Sequence, residues 1–310
     1  MPRVSGMAIS TTATEAGGGA GQSPVTRTHC PYCAFQCGMT LTASAGDAPI
    51  VSGDNDFPVN HGALCVKGWT SAELLRHPDR LTTPLGRTPE GKLAPVSWDE
   101  ALGRVVEGIQ QAQERYGRDS VAVFGGGSLT NEKAYLLGKF ARVALRTPNV
   151  DYNGRYCMSS AAAAGIRALG IDRGLPFPLE DIRRTEVVFL AGGNVAETMP
   201  PIMQYFEAQR NNGGQLIVAD PRRTATAARA SLHLQLMPGT DAALANGILH
   251  VLVREGLLDE RFIEEHTEGF GRVRAMVSAY WPERVEGITG VPHSDVVRAA
   301  RMIGTAGSAM

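Results

Sequence analysis

The sequence predicts an α/β protein in which a small cysteine-bearing module precedes Rossmann-like domains built on parallel sheets. Two observations support this class. Four of the five cysteines fall between residues 30 and 65, in a stretch without a long helical period. Further along, the apolar runs Glu186–Ala191 and Gln215–Ala219 alternate with helical patterns. Continuous apolar strands separated by helices are typical of a parallel sheet that is covered on both faces.

Composition and charge exclude several classes of protein. With 310 residues, 43% of them hydrophobic and 20% charged, the chain can bury a large core. A formal net charge of -1 and a pI near 6.7 provide no global field that would gather nucleic acid or an anionic membrane. No run approaches the roughly 20 apolar residues that a membrane span needs. We therefore expect a soluble protein with no nucleic-acid and no membrane partner.

The N-terminal segment is rich in small and polar residues, and residues 1–27 are predicted to form a disordered tail. It contains neither a twin-arginine pair nor an apolar signal core, so export is not expected and the predicted location is the cytoplasm. The cysteine-bearing module is predicted over residues 28–83, with a short β-prone piece at Met39–Ala43.

The sequence pattern changes after Pro84, and residues 84–152 are predicted to form the first part of an α/β domain. Ser97 and Glu100 make a capping box for a helix from Trp98 to about Tyr116. One face of that helix carries apolar side chains at helical spacing: Ala101, Leu102, Val105, Val106 and Ile109. A strand at Ser120–Phe124, a glycine turn at 125–127 and a helix from Asn131 to Arg146, closed by Pro148, follow.

Residues 153–310 are predicted to form a Rossmann-like domain. Its strands are the two apolar runs named above. Helices are predicted near Ile202–Arg210, Ala242–Glu255 and Asp295–Ile303.

The clustered cysteines, Cys30, Cys33, Cys37 and Cys65, have the spacing C-x2-C-x3-C-x27-C. Four thiolates around a cubane is the coordination that a [4Fe–4S] cluster requires. A structural zinc ion is the alternative, since four cysteines also satisfy tetrahedral zinc. The usual zinc ribbon has two paired C-x2-C knuckles, whereas the second half here offers one cysteine, which favours iron–sulfur.

The flanking residues THCPYCAFQCG and GALCVKGW resemble those of the molybdopterin oxidoreductase family. The resemblance covers about Thr28 to the last residue and implies a [4Fe–4S] cluster that passes electrons to molybdenum held by two molybdopterin guanine dinucleotides. It also implies that Lys67 lies between the cluster and the pterin. The alternative is an ordinary solvated lysine. The family's catalytic subunits are roughly twice as long, so the resemblance implies a fold that is incomplete at the C-terminus.

Cys157 lies in NGRYCMSSAAAAGIRALG, just before an alanine-rich stretch predicted to be helical. A thiol near a helix N-terminus favours the thiolate, the form that ligates metal. A buried, inert cysteine is the alternative. The segment resembles the stretch of assimilatory nitrate reductases in which the cysteine ligates molybdenum. The resemblance implies that Asn153 contacts the cofactor; Arg155 either draws in the anion or makes an ordinary salt bridge.

Three further segments follow predicted strands, at the positions where open α/β sheets bind ligands. Each alone is common turn chemistry, but their order and spacing resemble the family's guanine dinucleotide site. The residues proposed to contact the cofactor are Gly192, Gly193, Asn194, Glu197, Asp220, Arg222, Thr224, Gly239, Thr240 and Asp241. Ser231 departs from the aspartate of many relatives. A nicotinamide site lacks support, since GGGSLT does not provide G-x-G-x-x-G.

The function implied by the resemblance is molybdenum-dependent reduction of nitrate to nitrite, with electrons arriving through the cluster. The donor would be ferredoxin, flavodoxin or an NADH-dependent flavoprotein. Three alternatives remain open: a formate dehydrogenase of the same family, an inactive fragment that binds only a cluster, and a zinc-stabilised α/β binding module.

Overall fold

The computed structural model describes residues 24–45, 48–171, 175 and 177–310. Most of the predicted tail, residues 1–23, lies outside the described residues. None of the helices in the described part is both long enough and apolar enough to cross a membrane.

The cysteine-bearing module is built on a small antiparallel sheet. Strands β1 (Val25–His29), β2 (Gly38–Thr42) and β3 (Ile50–Gly53) pair in the order β1-β2-β3. A short helix, α1 (Val66–Trp69), and a 3-10 turn, Ser71–Leu75, follow. β1 begins at Val25, so residues 25–27 belong to the module and not to the predicted tail. The β-branched residues Val25, Thr26 and Thr28 suit a strand, and Val25 pairs with Thr42.

The middle of the chain contains a hairpin, a two-stranded parallel sheet and four helices. These elements are β4 (Leu85–Arg87), β5 (Leu93–Pro95), α2 (Trp98–Tyr116), β6 (Val123–Gly125), α3 (Asn131–Lys139), β7 (Val150–Tyr152), α4 (Gly154–Cys157) and α5 (Ser159–Leu169). β6 pairs with β7 in parallel. The predicted helix over 131–146 is confirmed, since α3 continues as a π-helix, Phe140–Leu145.

Helix α2 has the predicted bounds, and its N-terminus is capped as expected: the Glu100 N–H donates to Ser97 Oγ at 3.1 Å. Its apolar face, however, is exposed, with Leu102, Val105 and Val106 each more than half accessible. The predicted strand 120–124 starts later, at Val123, because Arg118–Ser120 form a 3-10 turn. The Ser120 hydroxyl stabilises that turn by bonding to the Gly117 carbonyl at 2.7 Å.

The Rossmann-like region contains a three-stranded parallel sheet in the order β10-β9-β8. Its elements are β8 (Val187–Ala191), α6 (Val195–Thr198), α7 (Met203–Asn211), β9 (Gln215–Ala219), β10 (Leu232–Leu234), α8 (Asp241–Arg254), α9 (Glu260–His266), α10 (Phe270–Val277), α11 (Pro282–Thr289) and α12 (His293–Thr305). The two strands and three helices predicted here are all present, with ends shifted by one or two residues.

Both faces of this sheet are covered, as predicted. Val188 and Leu216 face a core that also contains Cys30 and Cys37 of the cysteine-bearing module. Ile217 and its neighbours on the opposite face pack against α8, α11 and α12. The cysteine loop is therefore part of the same hydrophobic core as the Rossmann-like region, which fixes its place beside the sheet.

The last described residues extend the sheet past β8. Ala309 forms a parallel bridge with Val187, and the Phe189 N–H donates to the Met310 carbonyl at 2.8 Å.

Candidate functional site

The four clustered cysteines meet on one side of the cysteine-bearing module. Three come from a tight loop in which the Cys30 N–H donates to the Cys37 carbonyl at 2.8 Å and the Gln36 N–H donates to the Cys33 carbonyl at 3.1 Å. Gln36 has a φ of 48°, so the loop bends back on itself. Cys65 comes from the N-cap of α1. All four are free thiols, and Cys30 and Cys37 are buried.

Burial and mutual repulsion disfavour the thiolate form in this group of cysteines. Burial, followed by the charges of Cys30, Cys33 and Cys65, raises the pKa of Cys37 to about 11. Burial also raises the pKa of Cys30, against the opposing charge of Lys67. Four thiolates at this spacing repel one another in a partly desolvated site. Positively charged iron would remove that penalty.

The residues present fit a [4Fe–4S] cluster, which needs four thiolates, one for each iron. Four free cysteines are available, three from a tight loop and one from the N-cap of α1. Four thiolates also satisfy tetrahedral zinc, so both occupants are compatible with this set of ligands.

Asn60, which sequence analysis did not select, connects the two halves of this site. The fully buried side chain accepts from the Gly38 N–H at 2.8 Å and donates to the Gly38 carbonyl at 3.0 Å. The same amide donates to the Ala63 carbonyl at 2.8 Å. Gly38 follows Cys37 and Ala63 precedes Cys65 by two residues, so Asn60 sets the distance between them. The local sequence VNH carries no signal for this role.

A second polar junction attaches the module to the Rossmann-like region. The Tyr205 hydroxyl, on α7, donates to the Val59 carbonyl at 2.7 Å, and Gln204 donates to the Asn60 carbonyl at 3.3 Å. The Tyr205 ring packs edge-on against Phe35 of the cysteine loop. Burial raises the pKa of Tyr205, which keeps the phenol protonated as a donor.

Lys67 lies where the cysteine-bearing module meets the carboxyl end of β8. Its Nζ donates to the Thr198 carbonyl at 2.9 Å, across 131 residues of sequence. Thr198 ends the one-turn helix α6, and a carbonyl at a helix C-terminus attracts a cation. Lys67 therefore links the cysteine-bearing module to a strand-end loop.

Two strand-end loops named in the sequence lie side by side. We call residues 192–199 the Asn194 loop and residues 220–226 the Asp220 loop. Gly192 has a φ of 66° and its N–H donates to the Ala219 carbonyl at 2.9 Å, which joins the two loops at their bases. Glu197 is exposed on α6, and Arg222 is exposed with its N–H bonded to Asp220 Oδ1 at 2.8 Å. Asp220 itself is buried.

Two threonines of the Asp220 loop are buried. Thr224 is buried, and its hydroxyl accepts from the Ala227 N–H at 3.1 Å. That oxygen stabilises a turn, and the phosphate contact of Thr224 stays a prediction. Thr226, which was not predicted, is also fully buried and bonds to the Asn194 loop.

The third loop, residues 238–241, opens helix α8. Gly239 has a φ of 85°, Thr240 is the N-cap and Asp241 is exposed in the first turn. The Thr240 hydroxyl donates to the Met237 carbonyl at 2.6 Å. Ser231 is the departure from the family pattern. Its hydroxyl accepts from the Leu216 N–H at 3.2 Å and so provides a hydrogen-bond partner for the backbone near the start of β9.

Cys157 lies in a different place, at the carboxyl edge of the β6–β7 sheet. It ends α4, one residue before α5, and its N–H donates to the Asn153 carbonyl at 3.0 Å. The Asn153 amide faces the glycine turn after β6, because a Cβ on Gly127 would lie 3.2 Å from Asn153 Oδ1. Cys157 is exposed, so the alternative of a buried, inert cysteine is wrong.

Arg155 forms an ordinary ion pair, which was the alternative to drawing in the anion. Its Nε lies 2.7 Å from Asp151 Oδ2. The hydrogen bond from Arg155 lowers the pKa of Asp151, and the reciprocal bond raises the pKa of Arg155, so both stay charged. No hydrogen bond or ion pair between described residues joins Cys157, Asn153 or Arg155 to Lys67 or to the strand-end loops.

Comparison with known proteins identifies both parts of the chain. The model of the molybdopterin oxidoreductase Fe4S4 domain matches residues 23–77, and the molybdopterin oxidoreductase model matches residues 80–305. In structure, the chain is similar to acetylene hydratase from Pelobacter acetylenicus, with a TM-score of 0.80 and 26% identity, over 91% of this chain and 39% of that one.

Curated relatives include nitrate reductases and formate dehydrogenases. The chain is 43% identical to the assimilatory nitrate reductase catalytic subunit of Bacillus subtilis (strain 168), over 88% of this chain and 39% of that protein. It is 37% identical to formate dehydrogenase H of Escherichia coli (strain K12), over 91% of this chain and 40% of that protein. The chain thus spans about two fifths of the length of these relatives.

Proposed function

Because this chain belongs to the molybdopterin oxidoreductase family, we propose that the enzyme containing it reduces nitrate to nitrite. The chain would supply the cluster ligands, the thiolate that holds molybdenum and one nucleotide-binding face. The observation that carries this proposal is Cys157, exposed at the carboxyl edge of its sheet and followed by Met-Ser-Ser. The higher identity to a nitrate reductase than to a formate dehydrogenase supports the same choice.

The proposed roles of the residues fall into two groups, electron entry and substrate chemistry. When bound, the molybdenum centre supplies oxygen-atom transfer, and the protein supplies ligation, positioning and electrostatics. Cys30, Cys33, Cys37 and Cys65 would hold the [4Fe–4S] cluster against the hydrophobic core. Lys67, which donates to the Thr198 carbonyl, would supply a positive charge on the route from the cluster to the cofactor.

The two strand-end loops are proposed to hold a guanine dinucleotide. Gly192 and Gly193 allow close approach of a phosphate, and Arg222 projects from the same edge. Asn194, Glu197 and Asp220 offer hydrogen-bonding groups, and the Gly239–Asp241 turn lies at the start of α8, where helix N–H groups favour anions.

Around Cys157, Asn153 would contact the cofactor. Arg155 would bind nitrate through guanidinium nitrogens other than Nε, which is bonded to Asp151. An anion-binding role for Arg155 therefore competes with an existing partner. Ferredoxin, flavodoxin or an NADH-dependent flavoprotein is proposed as electron donor, and the cytoplasm as location, in keeping with an assimilatory role.

The test uses full-length enzyme purified without oxygen. Nitrate-dependent oxidation of reduced viologen is measured beside formate-dependent reduction of a dye. We expect turnover with nitrate and none with formate. Formate turnover without nitrate turnover would replace the proposal by the second candidate, a formate dehydrogenase, which the identities to proteins of that name favour.

Metal analysis addresses the remaining alternative. Iron, molybdenum and guanine nucleotide are measured together in the purified enzyme. Iron without molybdenum or nucleotide would indicate an inactive cluster-binding protein and would overturn the proposal. Zinc in place of iron would indicate a structural zinc module.

A further inference from the structure

Thr226 is a buried polar residue with bonds to both ends of a loop turn. Its hydroxyl donates to Asn194 Oδ1 at 3.0 Å and accepts from the Ala196 N–H at 2.9 Å. The side chain is fully buried. Ala196 belongs to the first turn of α6, whose N–H groups have no partner within the helix. Thr226 therefore caps α6 from 30 residues further along the chain.

The opposite end of α6 holds Lys67. The Thr198 hydroxyl donates to the Asn194 carbonyl at 3.0 Å, and the Thr198 carbonyl accepts from Lys67 Nζ at 2.9 Å. A continuous series of hydrogen bonds thus runs from Thr226 through Asn194 and Thr198 to Lys67. The Thr198 N–H also donates to the Asn194 carbonyl, at 3.0 Å.

The position of the Lys67 charge matters because Lys67 follows Cys65 by two residues. A fixed positive charge near an iron–sulfur cluster favours the reduced, more negative form and so raises its potential. If the ammonium is released to solvent, water screens its charge and this effect declines.

We propose that Thr226 is a positioning residue that couples the Asp220 loop to the electron path. Its hydroxyl holds α6 in the orientation in which the Thr198 carbonyl fixes Lys67 beside the cluster. This inference rests on one part of the proposed function, namely that the four cysteines bind a [4Fe–4S] cluster. Changes in the Asp220 loop, which is proposed to grip the nucleotide, would then be transmitted to the cluster.

The test is a redox titration of the cluster in full-length holoenzyme, followed by electron paramagnetic resonance. Thr226→Val keeps the shape of the side chain but removes the hydroxyl, and we expect the midpoint potential to shift to a lower value. Thr226→Ser restores the hydroxyl and should restore the potential. Lys67→Gln should lower it as well, and Thr226→Val should add no further shift in the Lys67→Gln background.

Thr289 provides a matched control. It too is fully buried, donates to the Val285 carbonyl at 2.8 Å and accepts from the Val291 N–H at 3.1 Å, in contact with neither loop. Thr289→Val should therefore leave the cluster potential unchanged. An equal shift in Thr289→Val, or additive shifts in the double variant with Lys67, would overturn the proposal.

A second variant covers a failure of Thr226→Val to fold. Thr198→Val removes an exposed hydroxyl from the same series of bonds and should lower the potential in the same direction. An unchanged potential in Thr198→Val, where Lys67→Gln does shift it, would contradict the coupling. These outcomes are independent of nitrate turnover, so failure of the coupling and failure of the proposed function are distinguishable.

Discussion

The Asn60 amide holds the backbone of Gly38 from both sides, accepting from its N–H at 2.8 Å and donating to its carbonyl at 3.0 Å. Gly38 begins β2 immediately after Cys37. The side chain therefore holds the backbone at the point where the sheet meets the cysteine loop. Through Ala63, the same amide places the turn that carries Cys65.

Asn60→Ala is expected to weaken the cysteine-bearing module. It leaves the Gly38 N–H without the Asn60 acceptor, whereas the Gly38 carbonyl still accepts from the Asp54 N–H at 3.1 Å. A buried group left unpaired costs roughly 1–3 kcal/mol. Urea unfolding and the iron content per chain are the measurements. Asn212→Ala, which removes one bond from an exposed asparagine to the Arg183 carbonyl, is the control and should change the unfolding free energy by less than about 1.5 kcal/mol. Full iron content and unchanged stability in Asn60→Ala would refute the role.

Cys157→Ala is expected to separate the two sulfur sites. Nitrate turnover should fall to background, while the cluster signal of the reduced enzyme stays, because Cys157 is not part of the four-cysteine group. Cys30→Ala should lose both the nitrate turnover and the cluster signal, since Cys30 lies within the four-cysteine group. Spectra and viologen assays on the same preparations provide the measurement. Nitrate turnover that survives in Cys157→Ala would remove this residue from the site.

Two glycine substitutions should have opposite signs. A Cβ on Gly38 would collide with the Phe57 ring, so Gly38→Ala should destabilise the protein by about 1–3 kcal/mol. A Cβ on Gly103, inside α2, meets nothing within 4 Å, so Gly103→Ala should stabilise by about 0.5–1 kcal/mol. Thermal melting compares the two. Adding Phe57→Ala to Gly38→Ala tests the cause, since relief of the collision should make the pair less costly than the sum of the single changes.

The ion pair between α8 and α12 should make stability depend on pH. Arg301 bonds to both oxygens of Glu255 at 2.9 Å, and this hydrogen bond lowers the pKa of Glu255. A carboxyl with a lowered pKa contributes stability above its unfolded value, about 4.3, and loses it as the pH falls through the folded value. Glu255→Gln should therefore be less stable than the native chain at neutral pH.

The check is urea unfolding of both proteins from pH 7 to pH 3. The difference in unfolding free energy should be constant at neutral pH and should narrow below about pH 4.3. Arg301→Gln supplies the matched background, in which Glu255→Gln should have little effect at any pH. A difference that persists undiminished at pH 3 would assign the effect to packing and not to charge.

The elements that sequence predicted best are those with local signals. The Ser97 cap and the apolar spacing after it gave the bounds of α2, and the run QLIVA gave β9. Exposure did not follow from the same signals, since the apolar face of α2 is accessible in the described part of the chain. Whether an apolar stripe is buried depends on which element lies opposite, and the periodicity of the helix carries no information about that.

The candidate site was also predicted only in part. The sequence indicated the four-cysteine group, the segment around Cys157 and the glycine turns, because ligand chemistry demands particular residue types at particular places. Tertiary structure alone decided that Lys67 reaches Thr198, that Asn60 spans Gly38 and Ala63, and that Thr226 rather than Thr224 connects two loops. Those partners are far apart in sequence, and a hydroxyl or amide has no preference among carbonyls until packing brings one of them within 3 Å.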